Sequence, residues 1–234
     1  MSKNTIITII SGGGAPQRVN LKGFKGFTLA EVLITLVIIG VIASMTIPTL
    51  INKTNNQEYV SRLKKTYSTL AQATNRIIAE EGNPRADIGG WATSTEAIFD
   101  LYKKHLNTAR ECEVGKTGCF KGLYKRLNGS FGNLNDTEKY AFVLSDGAAI
   151  LMGDSEFRSN CNFRAPGTYN LCQHILVDIN GAKGPNSVGV DTFSFSLRED
   201  GLVPTGCEYD ACVKDVDLGW GCACKVLREG AINY

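Results

Sequence analysis

The chain has 234 residues, a formal net charge of +2, 43% apolar residues and 21% charged ones. That is enough apolar material for a buried core, which excludes a disordered chain. The near-neutral charge balance, with no clustered Lys/Arg face, argues against a nucleic-acid binder, and only two histidines, His105 and His174, are present for imidazole chemistry.

The first 26 residues carry Lys3, Arg18, Lys22 and Lys25 and no acid, and without them the net charge becomes −2. An apolar stretch follows, and all eight cysteines lie beyond residue 111. A basic head, an apolar stretch and a cysteine-bearing body, in that order, point to a membrane-inserted or exported protein. The stretch from Phe27 to Ile47 reads FTLAEVLITLVIIGVIASMTI, 21 residues with Glu31 as the single ionisable group. As a helix it reaches about 30 Å, the thickness of a bilayer's hydrocarbon core. The positive charges just before it predict a cytoplasmic N-terminus and a body across the membrane. A secretory signal peptide has a shorter apolar region, about 7–15 residues, with its small-residue cleavage site after it. Here the small residue, Gly26, comes first. An acid inside a span costs about 3 kcal/mol and marks a functional position. The plainer alternative is that Glu31 only favours the positive end of the helix dipole.

The segment KGFKGFTLAEVLITLVIIGVIASMTIP resembles the N-terminus of type IV pilins and of the pseudopilins of type II secretion systems. In that family a basic leader ends in Gly, and the mature chain opens on Phe with Glu at its fifth position. The resemblance implies that Gly26 precedes the scissile bond and that Phe27 is the first mature residue, N-methylated by the leader peptidase. It also implies that Glu31 is the assembly glutamate, and that Gly40 and Pro48 are the family's helix glycine and helix proline. Cleavage would free a cationic amino group on Phe27. Paired with Glu31 of a staggered neighbour, each charge loses its desolvation cost only in the correct register.

The helical pattern continues beyond Pro48. Tyr59, Leu63, Tyr67, Leu70, Ala73 and Ile77 recur at spacings of three or four, with charges between them, and read as core. Gly82, Asn83 and Pro84 end the pattern. Pro48 is expected to kink or locally melt the rod, with the polar run Asn52–Gln57 as the place to melt. A second helix is predicted from a capping box, Thr93 with Glu96, followed by Ile98, Leu101, Tyr102, His105 and Leu106 on one face. His105 on that face reads as packed, not as a ligand.

The period then changes to two. AFVLSDGAAILMG reads as a hairpin turning at Asp146-Gly147, HILVDI as a strand ending near Asp178, and DTFSFSL as a half-buried strand. Glu199-Asp200-Gly201 turns the last into a short strand through Val203. Asp146 and Asp154 read as turn residues, not as a carboxylate pair.

The eight cysteines are Cys112, Cys119, Cys161, Cys172, Cys207, Cys212, Cys222 and Cys224. They contain no C-x-x-C and no zinc spacing. An even count on the translocated side predicts disulfides formed in an oxidising compartment. Local loops Cys112–Cys119 and Cys161–Cys172 are expected. Cys222 and Cys224 would join Cys207 and Cys212 and not each other, because alternate residues of an extended segment point apart. In VDINGAKGPNSVGVD, the residues Asp178, Asn180, Asn186 and Asp191 surround a Gly-rich loop with hard oxygen ligands suited to calcium. The loop fails the EF-hand pattern, since Ala182 stands where a donor belongs and no Glu closes it. It is similar to the calcium loops of some major pseudopilins only in position and composition, and Asn180-Gly181 is equally a plain turn signal. No other cofactor is expected.

The predicted fold class is α+β: a long N-terminal, partly transmembrane α-helix packed on a C-terminal antiparallel β-sheet, with disulfide-stapled loops. Residues 1–26 would be a basic leader peptide, 27–83 the long helix (27–47 transmembrane, 48–83 amphipathic) and 84–234 an extracytoplasmic α+β domain. The resemblance implies a structural subunit of a type II secretion pseudopilus or a type IV pilus, a homo- or hetero-oligomeric filament beginning in the bacterial inner membrane. Its partners would be the prepilin peptidase/methylase, other pilin or pseudopilin subunits and an inner-membrane assembly platform. Rival classes are a minor pilin acting as adhesin or DNA-capture subunit, and a membrane-anchored extracytoplasmic enzyme. The sequence offers that enzyme no GxSxG, no Cys-His arrangement and no zinc signature.

Overall fold

The computed structural model of the chain describes residues 6–9, 17–20, 26–85, 89–112, 118–120, 122–134, 139–153, 161, 163–164, 170–208 and 212–234. Lys3, Lys22, Lys25 and Asp154 lie outside the described residues. The chain divides into two compact units, Met1–Ile51 and Asn52–Tyr234.

In the first unit, β1 (Ile6–Ile9) pairs antiparallel with β2 (Gln17–Asn20), Ile6 opposite Asn20. The β-branched run Ile6-Ile7-Thr8-Ile9 suits a strand. Helix α1 (Leu29–Glu81) begins in this unit and runs on into the second. Its helical backbone is unbroken through Pro48 and through 52–57, so the melting expected there does not occur. A proline leaves a carbonyl unpaired one turn back. Around it, the Thr46 and Thr49 hydroxyls donate to the carbonyls of Ile42 (3.0 Å) and Met45 (3.4 Å). The helix ends at Gly82, whose φ of +85° needs a residue without Cβ and whose N–H donates to Ile78 O.

The second unit is an antiparallel sheet with helices. Its main strands are β3 (Thr108–Cys112), β6 (Lys139–Leu144), β7 (Ala149–Gly153), β9 (Asn170–Asp178), β10 (Thr192–Arg198) and β11 (Gly201–Pro204), in spatial order β11-β10-β9-β7-β6-β3. Strand β8 (Phe163–Arg164) pairs with β9, and β4 (Leu123–Lys125) with β5 (Phe131–Asn133) forms a separate hairpin. The β6–β7 turn uses Asp146-Gly147: Asp146 Oδ1 accepts from Ala148 N–H at 3.2 Å, and Gly147 has φ +91°.

Val60, Leu63, Leu70, Ala73 and Ile77 of α1 are buried in one core with Phe142, Ile150, Ile175, Phe193 and Phe195 of the sheet. Tyr67 stacks on Phe195 at 5.5 Å, and the Tyr102 hydroxyl of α2 (Thr95–His105) meets Thr74 of α1 at 2.5 Å. Helix α2 begins one residue later than the sequence predicts. The Thr93 N–H is held by Trp91 O in a turn, and Ser94 becomes the cap by accepting from Ala97 N–H at 3.1 Å. The other correction is β10, which is buried along its whole length rather than half-buried. Its Phe193, Phe195 and Leu197 enter the core. The Ser194 and Ser196 hydroxyls pair with Thr205 at 3.2 and 3.3 Å, and α3 (Cys222–Glu229) packs on the same strand. A second cluster, including Phe120, Tyr124, Ala141, Leu151 and Val188, ties the β4–β5 hairpin to the sheet.

Because Leu70 is fully buried between α1 and the sheet, Leu70→Ala is expected to cost about 3 kcal/mol of stability. Urea unfolding measures this, and a cost under about 1 kcal/mol would mean that this helix face is not the core.

Candidate assembly site at the helix start

The residues singled out in the N-terminal segment gather at the beginning of α1. Gly26, Phe27 and Thr28 precede the helix, and Glu31 stands in its first turn. Among the described residues an added Cβ at Gly26 would meet nothing within 4 Å. Phe27 is 86% exposed.

Glu31 is held by its own chain. Its Oε2 accepts from the Thr28 N–H and the Thr28 hydroxyl, each at 2.8 Å, while Thr28 Oγ1 accepts from the Glu31 N–H at 3.2 Å. This reciprocal Thr-x-x-Glu arrangement is a capping box. The Thr-x-x-Glu spacing in the sequence carries that signal, and the helix-start charge expected of Glu31 is here a side-chain cap. From Val32 to Ile51 the large apolar residues are exposed around the helix. One helix among the described residues, α1, is long and apolar enough to cross a membrane. A helix satisfies its own backbone polar groups, and an apolar surface all round it requires lipid or other apolar helices as its surroundings. Among the described residues a Cβ at Gly40 would likewise meet nothing within 4 Å.

In the body, disulfides join Cys112 to Cys119, Cys161 to Cys172, Cys207 to Cys224 and Cys212 to Cys222. Cys222 and Cys224 lie on helix α3, not on an extended segment. They still point apart, because two residues along a helix turn through about 200°.

The loop between β9 and β10 brings Asp178, Asn180 and Asp191 together. Asp191 accepts from the Asn186 and Ser187 N–H groups at 2.8 and 2.6 Å and from Asn180 Nδ2 at 3.3 Å. Asp178, also buried, accepts from the Tyr124 hydroxyl at 2.6 Å and the Asn180 N–H at 3.2 Å. Burial pushes the Asp178 carboxyl up to about 7, and Asp191 adds to the rise against the Tyr124 hydrogen bond. Burial also raises Asp191. The Oδ1 atoms of Asn180 and Asn186 are buried without a hydrogen-bond partner. The loop therefore holds hard oxygen donors, yet hydrogen bonds already close it. Among the described residues no group of three or more His, Cys, Asp or Glu side chains is placed to hold a metal. Tyr124 is 54 residues from Asp178, and no local pattern could have linked them.

Among protein families, the chain matches the prokaryotic N-terminal methylation motif over residues 21–47. This is the prepilin-type signature of type IV pilins and pseudopilins. No curated protein and no solved structure matches the chain.

Proposed function

We propose that this protein is a prepilin-like structural subunit. It is cut between Gly26 and Phe27, N-methylated on Phe27 and anchored in the inner membrane by residues 27–47. Through that helix it is built into a type II secretion pseudopilus or a type IV pilus. The observation that carries the reading is the methylation motif over residues 21–47, which covers Gly26, Phe27 and Glu31 at the start of an exposed apolar helix. The motif belongs to structural subunits, not to enzymes. In this reading the prepilin peptidase/methylase acts first, on the cytoplasmic side, and other pilin or pseudopilin subunits then replace lipid around the helix. An inner-membrane platform does the assembling, and the disulfide-stapled body faces the periplasm.

Protein from its native cell is expected to begin at N-methylated Phe27. Intact mass and N-terminal sequencing decide it: a mature chain that retains Lys25, or one that begins after Ala43, overturns the reading.

A further inference from the structure

We propose that Thr28 is a positioning residue for Glu31: it fixes one carboxylate oxygen on the start of its own helix and leaves the other for the amino group of a neighbouring copy. This inference rests on the assembly reading above. Both Thr28 donors reach the same oxygen, Oε2. Among the described residues Oε1 accepts no hydrogen bond, and Glu31 itself lines a shallow depression of about 460 Å³ with Phe27, Val32 and Thr35.

The division of the two oxygens has physical consequences. A free carboxylate in an apolar surrounding carries the full desolvation cost of its charge. One that already accepts two hydrogen bonds carries less, so Thr28 lets Glu31 wait in lipid before a partner arrives. It also fixes the side-chain torsions, so less rotamer freedom is lost when the neighbour's ammonium binds. The Thr28 hydroxyl does two jobs, donating to Oε2 and accepting from the Glu31 N–H. Valine keeps the shape and loses both. Serine keeps both.

The test uses the full chain in a strain where it is the only source of the protein, with the sheared-filament fraction measured against the processed membrane pool. Thr28→Val is expected to lower the filament fraction about fivefold, the equivalent of one lost cap. Thr28→Ser should match wild type. Thr28→Val combined with Glu31→Gln should be no worse than Glu31→Gln alone, because the two groups act as one unit. Wild-type filament yield from Thr28→Val beside a defective Glu31→Gln overturns the positioning role and leaves the assembly reading standing. An additive loss in the double variant also overturns it. Wild-type yield from Glu31→Gln overturns the assembly role of Glu31 itself. If Thr28→Val blocks cleavage, the membrane pool is labelled with a hydrophobic carbodiimide, which modifies carboxyls that carry a proton, and Glu31 is quantified by mass mapping. Labelling should rise several-fold in Thr28→Val and stay at wild type in Thr28→Ser. Unchanged labelling in Thr28→Val overturns the proposal.

Discussion

Glu31→Ala is expected to reduce the filament-bound fraction of this subunit at least tenfold while leaving its membrane insertion intact. The substitution removes a charge from the apolar span, so insertion should be unharmed or easier. Cleavage after Gly26 should survive, because the scissile bond lies outside that span. In the proposed filament, the amino group of a neighbour's Phe27 then sits in an apolar surrounding without its counter-charge. Breaking such a pair costs about 3–5 kcal/mol, and a tenfold change needs only about 1.4 kcal/mol. Glu31→Gln keeps the shape, loses the charge and should behave like alanine. Glu31→Asp keeps the charge on a shorter arm and should be intermediate. Melting of the disulfide-bonded body should not change, since the described hydrogen bonds of the Glu31 side chain are all to Thr28. Wild-type filament yield from Glu31→Ala would return Glu31 to a helix cap and nothing more.

The second large effect is on stability and involves Asp178. An aspartate titrates near 3.9 in an unfolded chain, whereas burial holds this one up to about 7 in the fold. The folded state therefore binds the proton more tightly. The stability this gives is fully present below about pH 4 and is lost as pH rises through about 7. Between those limits the loss is on the order of 4 kcal/mol for this group alone. In chelator, denaturant unfolding is expected to show a body that becomes more stable on acidification from pH 8 to pH 5. Asp178→Asn should flatten that dependence and raise stability at pH 8 by about 2 kcal/mol. The gain falls short of the full difference because the new amide N–H needs a partner of its own. A slope that survives in Asp178→Asn would assign the effect to another group. Repeating the titration with calcium in place of chelator tests the loop as a cation site. A flat profile with a higher midpoint, abolished by Asp191→Ala, means that calcium is held there. An unchanged slope means that the loop is closed by its own hydrogen bonds.

Local pattern was a good guide wherever the physics is local. The run of spacings from Tyr59 to Ile77 located the buried face of α1, Gly82 marked its end, and Asp146-Gly147 placed the β6–β7 turn. Thr28, three residues before Glu31, was legible in the same way. What could not be read depends on partners distant in sequence. Strands β4 and β5 are three residues each, too short to show a period, and they gain their place through Tyr124 and the Asp178 loop. Helix α3 is flanked by glycine and carries two cysteines, which reads as a loop until the disulfides to Cys207 and Cys212 are known. Gly230, with φ +68° and its N–H on Val226 O, was the one local sign of that helix. The alternation in β10 correctly separated its two faces. It could not show that the serine face is covered as well, because that cover comes from Thr205 and the stapled segment.

The four disulfides share a property that bears on how the body matures. Their partners are separated by 7, 11, 17 and 10 residues, so none ties distant parts of the chain together. The pair at the C-terminus is nested, with Cys212–Cys222 inside Cys207–Cys224, so neither link threads through the other. Each closes a loop short enough that the chain-entropy gain is about 3 kcal/mol, and in the proposed topology each pair would come within reach soon after its second cysteine had crossed the membrane. In that proposed order of emergence the first two links each join nearest cysteines, whereas Cys207 and Cys212 must both stay reduced until Cys222 and Cys224 arrive. The α1–sheet core is built from contacts that no disulfide imposes. The links are nonetheless part of the packed interior, since Cys161, Cys172, Cys212 and Cys222 are buried in that same core.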